Sequence, residues 1–141
     1  RSDTVEKYMN IAINLAKKAY KKGEIPVGAV IVKNKKIIAK AYNKKESKKD
    51  CTKHAEIIAI QKASKKLKNW RLIDCEMYIT MEPCMMCAGA IEQSRMNKII
   101  YAVDNLNCGC SDKLNNVEIV KGICEENCKK IVQEFFKKKR S

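Results

Sequence analysis

Polar and apolar positions along this chain switch between two periods. From Asp3 to Tyr20, the residues Val5, Tyr8, Met9, Ala12, Leu15, Ala16 and Ala19 recur at helical spacing, as in a helix that buries one face. Asp3 and Glu6 suit its first turn and Gly23 its end. Val27–Val32 and Ile37–Ala41 are short apolar runs, and Lys33-Asn34-Lys35-Lys36 between them predicts a hairpin turn. Helical spacing returns over His54–Leu67. Met77–Thr80 reads as a buried strand, and Pro83 is expected to open a further helix, where its fixed φ costs nothing. Lys98–Val103 and Val117–Val120 read as strands. A last helix is expected from about Cys124 to Lys138, with Cys124, Cys128, Ile131, Val132 and Phe135 on one face. Two hairpin strands followed by alternating helix and strand make an α/β sandwich. Strands apolar on both faces call for helices on both sides of the sheet. No linker or repeat divides residues 1–141, which predicts one domain large enough to bury a core.

Charge adds a partner class to this picture. Thirty Lys and Arg against 16 Asp and Glu give +14, which suits a polyanion such as nucleic acid. The same excess also fits a lysine-rich solvated surface. No apolar run reaches membrane-spanning length and no signal peptide opens the sequence, so no membrane partner is expected. The sequence starts at Arg1 rather than Met, so an earlier segment would not be seen. Eight cysteines without a secretory signal point to reduced thiols and metal binding rather than disulfides. Cys84 and Cys87 sit in a motif. Cys51, Cys75, Cys108, Cys110, Cys124 and Cys128 do not, and read as free thiols.

The candidate chemistry lies in His54-Ala55-Glu56 and, 30 residues after His54, in Pro83-Cys84-Met85-Met86-Cys87. His54 is the one histidine. Two sulfurs three residues apart at a helix start share a face, and both a helix N-terminus and a metal favour thiolates. Two thiolates and an imidazole form a three-donor set for zinc, with one position open for water, as in hydrolytic rather than structural sites. Two thiolates also neutralise the dication and weaken it as a Lewis acid. That shifts weight onto a general base, and Glu56 is the carboxylate inside the motif. Cys51, three residues before His54, is the alternative fourth ligand of a closed structural site. Glu82 reads as support, and Met81, Met85 and Met86 as packing.

These residues match the H-x-E…P-C-x-x-C pattern of zinc nucleobase deaminases. The chain resembles the bacterial-type tRNA-specific adenosine deaminase family from Val5 to Phe136. Pro26-Val27-Gly28-Ala29-Val30, His54-Ala55-Glu56-Ile57, Asn69 through Arg95, and Phe135-Phe136 carry the resemblance. It implies a cytidine-deaminase-like three-layer α/β/α sandwich around a mixed sheet of about five strands. It implies one zinc per subunit on His54, Cys84 and Cys87, with Glu56 as proton shuttle. Asn43 would hydrogen-bond the flipped base, with Val27 and Ala55 lining its pocket. Locally, Asn43 reads equally as a turn residue closing a strand. The implied reaction is hydrolytic deamination of adenosine to inosine at the wobble position of tRNA anticodons. The implied partners are a tRNA anticodon stem-loop and a second subunit, as a homodimer or with another deaminase-like chain. The implied compartment is the cytoplasm, an organelle remaining open. Two departures stand out. Bacterial members often have D-P-T-A-H-A-E where this chain has Asp50-Cys51-Thr52-Lys53-His54-Ala55-Glu56, and Asp104 through Asn116, with Cys108-Gly109-Cys110 inside, is abbreviated.

Two other functions fit parts of the pattern. A small-molecule deaminase of guanine or cytosine would share the metal site and Glu56 but need no positive track. A zinc-stabilised RNA-binding module would use the charge and not the carboxylate. The Lys137-Lys138-Lys139-Arg140 tail suits an RNA stem or a frayed terminus.

Overall fold

The computed structural model describes residues 2–106 and 108–140. The chain runs α1 (Ser2–Lys21), β1 (Gly28–Lys33), β2 (Lys36–Tyr42), a short α2 (Lys45–Lys48), α3 (Ala55–Leu67), β3 (Cys75–Met81), α4 (Met85–Gln93), β4 (Lys98–Val103), a 3-10 turn (Ser111–Lys113), β5 (Glu118–Lys121) and α5 (Glu125–Arg140). The strands form one sheet in the order β2-β1-β3-β4-β5. β1 pairs antiparallel with β2 and β3, and β3-β4-β5 are parallel, so the sheet is mixed.

Alternation along β1 sorts the core into two layers. Ala29 and Ile31 join Met77, Ile79, Ile99 and Tyr101 beneath α3 and α4, with Ala55, Ile58, Ala59 and Ile91 from the helices. Val30 and Val32 face the other way with Tyr78, Ile100 and Ala102, beneath Tyr8, Met9 and Ala12 of α1 and Cys128 of α5. Helices therefore cover both faces of the sheet. Gly28 makes the second layer close: a methyl placed there would lie against the Ala12 carbonyl oxygen, so α1 rests directly on the start of β1.

The expected hairpin is present, with Asn34 and Lys35 at φ 51° and 64° as a two-residue type I′ turn requires. α5 turns the predicted face inward, with Cys128 and Phe135 buried. The side chains of Lys139 and Arg140, half of the basic tail, lie outside the described residues. Two expectations change. Pro83 does not open a helix. It precedes the helix, and the extended Cys84 is the N-cap residue of α4; the Pro83 carbonyl accepts the Cys110 N–H at 3.0 Å and Cys84 bridges Gly109. Met81 packs on both core layers, but Met85 is 74% exposed and Met86 is also open to solvent, so neither is core. Among the described residues no helix is long and apolar enough to cross a membrane.

Candidate active site

His54 and Cys84 are the N-cap residues of α3 and α4, both extended at φ −77°. Neither side chain caps its own helix, so the imidazole and the thiol can turn toward each other. Cys87, one turn into α4, is buried and joins them. His54 Nδ1 lies 3.7 Å from Cys84 Sγ and 3.6 Å from Cys87 Sγ. All three donor atoms lie within 4.8 Å of one another. Zinc–nitrogen and zinc–sulfur bonds at a tetrahedral angle place N and S about 3.6 Å apart, so the observed spacing is that of a tetrahedral edge. Among the described residues no fourth Cys, His, Asp or Glu joins the cluster. Cys51 is exposed and stands outside it, so the closed-site alternative fails.

The protons of the cluster follow this geometry. Hydrogen bonds from Cys87 and His54 hold the Cys84 thiol down at about 3 against its burial. Cys87 moves strongly the other way, as the donor to Cys84 and by burial. The hydrogen bond with Cys84 raises the His54 imidazole; burial and the Lys45 charge oppose that shift. Glu56, in the first turn of α3, is 4% exposed. Burial pushes its carboxyl up to about 7, against hydrogen bonding from its own amide and the charge on His54.

Asn43, at the end of β2, is buried, and its Oδ1 accepts the Ala55 N–H at 2.7 Å. It thereby satisfies one of the free amides at the start of α3. Val27 and Ala55 are buried on the same core layer. The structure thus brings together His54, Cys84, Cys87 and Glu56, and ties Asn43 to the same helix start.

Glu82 clasps the far wall. Its Oε1 accepts the Asn105 N–H at 3.1 Å, and its Oε2 accepts the Ser111 N–H at 3.1 Å and hydroxyl at 2.5 Å. Gly109 lies flush against this carboxylate, next to Cys84. Sequence reasoning missed two supports: Ser111 in this clasp and Glu24, 1% exposed, beyond α1. The signal for Glu24 was a single carboxylate between Gly23 and the apolar run Ile25-Pro26-Val27.

A sheet with a two-thiol, one-imidazole cluster at paired helix starts and a buried carboxylate beside it defines a deaminase. The chain belongs to the MafB19-like deaminase family, whose sequence model matches residues 4–140. Within it, the chain groups with the tRNA-specific adenosine deaminases. It is 42% identical over 145 residues to the tRNA-specific adenosine deaminase of Bacillus subtilis (strain 168), covering 96% of this chain and 90% of that one. A solved structure from work on A-to-I editing by tRNA:A34 deaminases at the wobble position of transfer RNA superposes with a TM-score of 0.84 at 30% identity, over 89% of this chain and 98% of that one. A guanine deaminase structure from Bacillus subtilis gives 0.69 at 41% identity, over 72% of this chain and 66% of that one. The fold is cytidine-deaminase-like, as the family resemblance implied.

Proposed function

We infer that this protein is a hydrolase that deaminates adenosine to inosine at the wobble position of tRNA anticodons, releasing ammonia. The observation that carries the chemistry is the tetrahedral spacing of His54, Cys84 and Cys87 with Glu56 buried beside them. The substrate follows from the full-length similarity to tRNA-specific adenosine deaminases.

Two thiolates and an imidazole are a soft-to-borderline donor set that fits zinc, one ion per chain. Held there by His54, Cys84 and Cys87, zinc would supply Lewis acidity that activates water. Glu56 takes a proton from the attacking water and passes it to adenine N1, which makes C6 electrophilic. It then relays the second water proton to the departing amino group, so that water and adenosine become inosine and ammonia. Asn43 binds the base through Nδ2, since its Oδ1 is engaged by Ala55. Val27 and Ala55 supply apolar walls that exclude water around the ring.

The partner in this reading is the anticodon stem-loop, met by a chain of net charge +14. The protein acts as a homodimer: Met85 and Met86 at the start of α4 are apolar and exposed beside the cluster, surface of the kind a second subunit covers. Its place of action is the cytoplasm, with its tRNA substrate. The test is to incubate the zinc-loaded protein with an anticodon stem-loop carrying adenosine at the wobble position, and with free adenosine, guanine and cytosine in parallel. Inosine in the RNA is expected. Ammonia from a free base with the RNA intact would overturn the reading in favour of a small-molecule deaminase.

A further inference from the structure

Between Asn43 and His54 the chain forms a ten-residue arch beside the cluster. Its feet are joined by the Lys44 N–H, which donates to the Lys53 carbonyl at 2.9 Å. Its crown is α2, a four-residue helix with no buried residue. So short a helix has no stability of its own. It is held from below by Glu24, whose carboxylate accepts the Glu46 N–H at 3.0 Å and the Ser47 N–H at 2.8 Å. Asp50 is turned onto Thr52, accepting its N–H at 2.9 Å and its hydroxyl at 2.7 Å. The backbone of the arch is thus pinned at its feet, crown and far turn.

Its side chains are the reverse of restrained. Residues 44–53 carry Lys44, Lys45, Lys48, Lys49 and Lys53 against Glu46 and Asp50. Lys45, Lys48 and Lys49 are exposed. Among the described residues none of the five lysines forms an ion pair. Lys45 lies three residues before Lys48 on the same helical turn, a spacing at which like charges repel, and Lys49 follows at once as the left-handed C-cap. Lys44, and Lys22 from the end of α1, stand 5.1 Å and 5.8 Å from the Tyr42 ring at the arch's foot, which extends the positive rim. A buried carboxylate is a costly anchor for a segment that contributes nothing to the core. The arrangement has a physical rationale when a polyanion relieves the repulsion.

We propose that this arch is the phosphate-binding rim of the active site, with Lys45, Lys48 and Lys49 taking the backbone of the unpaired RNA beside the target nucleotide. The inference rests on the RNA deaminase reading above and names the surface that reads the backbone. Asn43 at one foot and His54 at the other place the base-binding and metal-binding residues directly inside the rim.

The experiment measures binding of the wobble-adenosine anticodon stem-loop across a salt series. It compares the zinc-loaded parent, the triple variant Lys45→Gln/Lys48→Gln/Lys49→Gln, and a control triple at the far end of α3, Lys65→Gln/Lys66→Gln/Lys68→Gln. Each single-stranded phosphate contact contributes about 0.7 to the slope of log K on log salt, so the arch variant should be shallower by about 2 and the control by less than about 1. In steady-state assays the arch variant's loss falls in KM rather than kcat. A slope parallel to the parent's, or a control that flattens as much as the arch variant, overturns the inference while leaving the deaminase reading intact. A zinc-loaded parent that makes no inosine in this RNA removes the reading and the inference together.

Discussion

The Asn43 carboxamide oxygen accepts the Ala55 main-chain N–H at 2.7 Å, so one side chain joins the end of β2 to the helix start that carries His54 and Glu56. Its oxygen serves the fold, and in the proposed reaction its nitrogen is the atom left to bind the base. Asn43→Ala should lower stability by about 1 kcal/mol, as loss of a helix cap does, and reduce kcat/KM by at least about tenfold. Asn43→Asp keeps an acceptor for Ala55 but has no Nδ2. It should restore the urea midpoint and leave kcat/KM low. Parent-like kcat/KM in Asn43→Asp would show that Nδ2 gives nothing to the base.

Glu56→Gln keeps shape and removes the proton carrier. kcat should fall by about 10²–10⁴-fold with zinc retained. The stability of the metal-stripped protein should move the opposite way. The Glu56 carboxyl is raised from 4.5 to about 7 in the fold. The folded site therefore favours the neutral form. Its contribution is fully present below about pH 4.5 and is lost as pH rises to about 7. Gln does not titrate, so above pH 7 the variant should exceed the parent by about 3 kcal/mol, and below pH 4.5 the two should converge. Urea unfolding at pH 4.5 and pH 8 measures the gap; an equal gap at both would contradict the buried-carboxyl account.

Zinc uptake should release protons unequally. Cys84 is already held as a thiolate, whereas Cys87 is held as a thiol and His54 is raised. Calorimetric titration of the stripped protein in buffers of different ionisation enthalpy should count fewer protons released than two ordinary thiols would give, since Cys84 brings none, and Cys84→Ser should leave that count unchanged. Cys87→Ser should abolish tight zinc binding and activity. A Cys87→Ser protein that held zinc at parent affinity would remove Cys87 from the ligand set.

Two glycines should respond oppositely to alanine. A methyl at Gly109 would stand 2.3 Å from Glu82 Oε1 and 2.7 Å from the Asn105 carbonyl, so Gly109→Ala must open the clasp beside Cys84. A cost of about 1–3 kcal/mol is expected, together with a raised KM for the stem-loop. Gly89 lies exposed within α4 with nothing within 4 Å of a methyl, so Gly89→Ala should stabilise by about 0.5–1 kcal/mol. Thermal melts of the two variants distinguish them, and a stabilised Gly109→Ala would mean that the clasp does not exist in solution.

The strongly periodic parts of the chain were readable from sequence alone. β4 falls on Lys98–Val103 as expected, and the predicted sheet strands and long helices lie within a few residues of their observed bounds. Those segments are decided by burial, which sequence periodicity reports directly. α2 was not readable, because Lys45–Lys48 has no apolar position and owes its shape to Glu24, some twenty residues earlier. The placement of Pro83 and Cys84 ahead of α4 was missed for the same reason: their partners, Gly109 and Cys110, come from a later loop. Local propensity cannot see a distant hydrogen-bond partner. At the site, the spacing of His54, Glu56, Cys84 and Cys87 was legible as a motif. The second use of Asn43, as a cap supplied from outside the helix, was not.

The three proposed metal donors come from segments separated by all of α3 and β3. Neither His54 nor the cysteine pair can complete the grip alone, and they meet once β3 lies between β1 and β4. On the proposed reading a zinc ion would close a site that the sheet has already drawn together. Scarcity of zinc should leave assembled but silent copies, ready to be switched on when the metal returns.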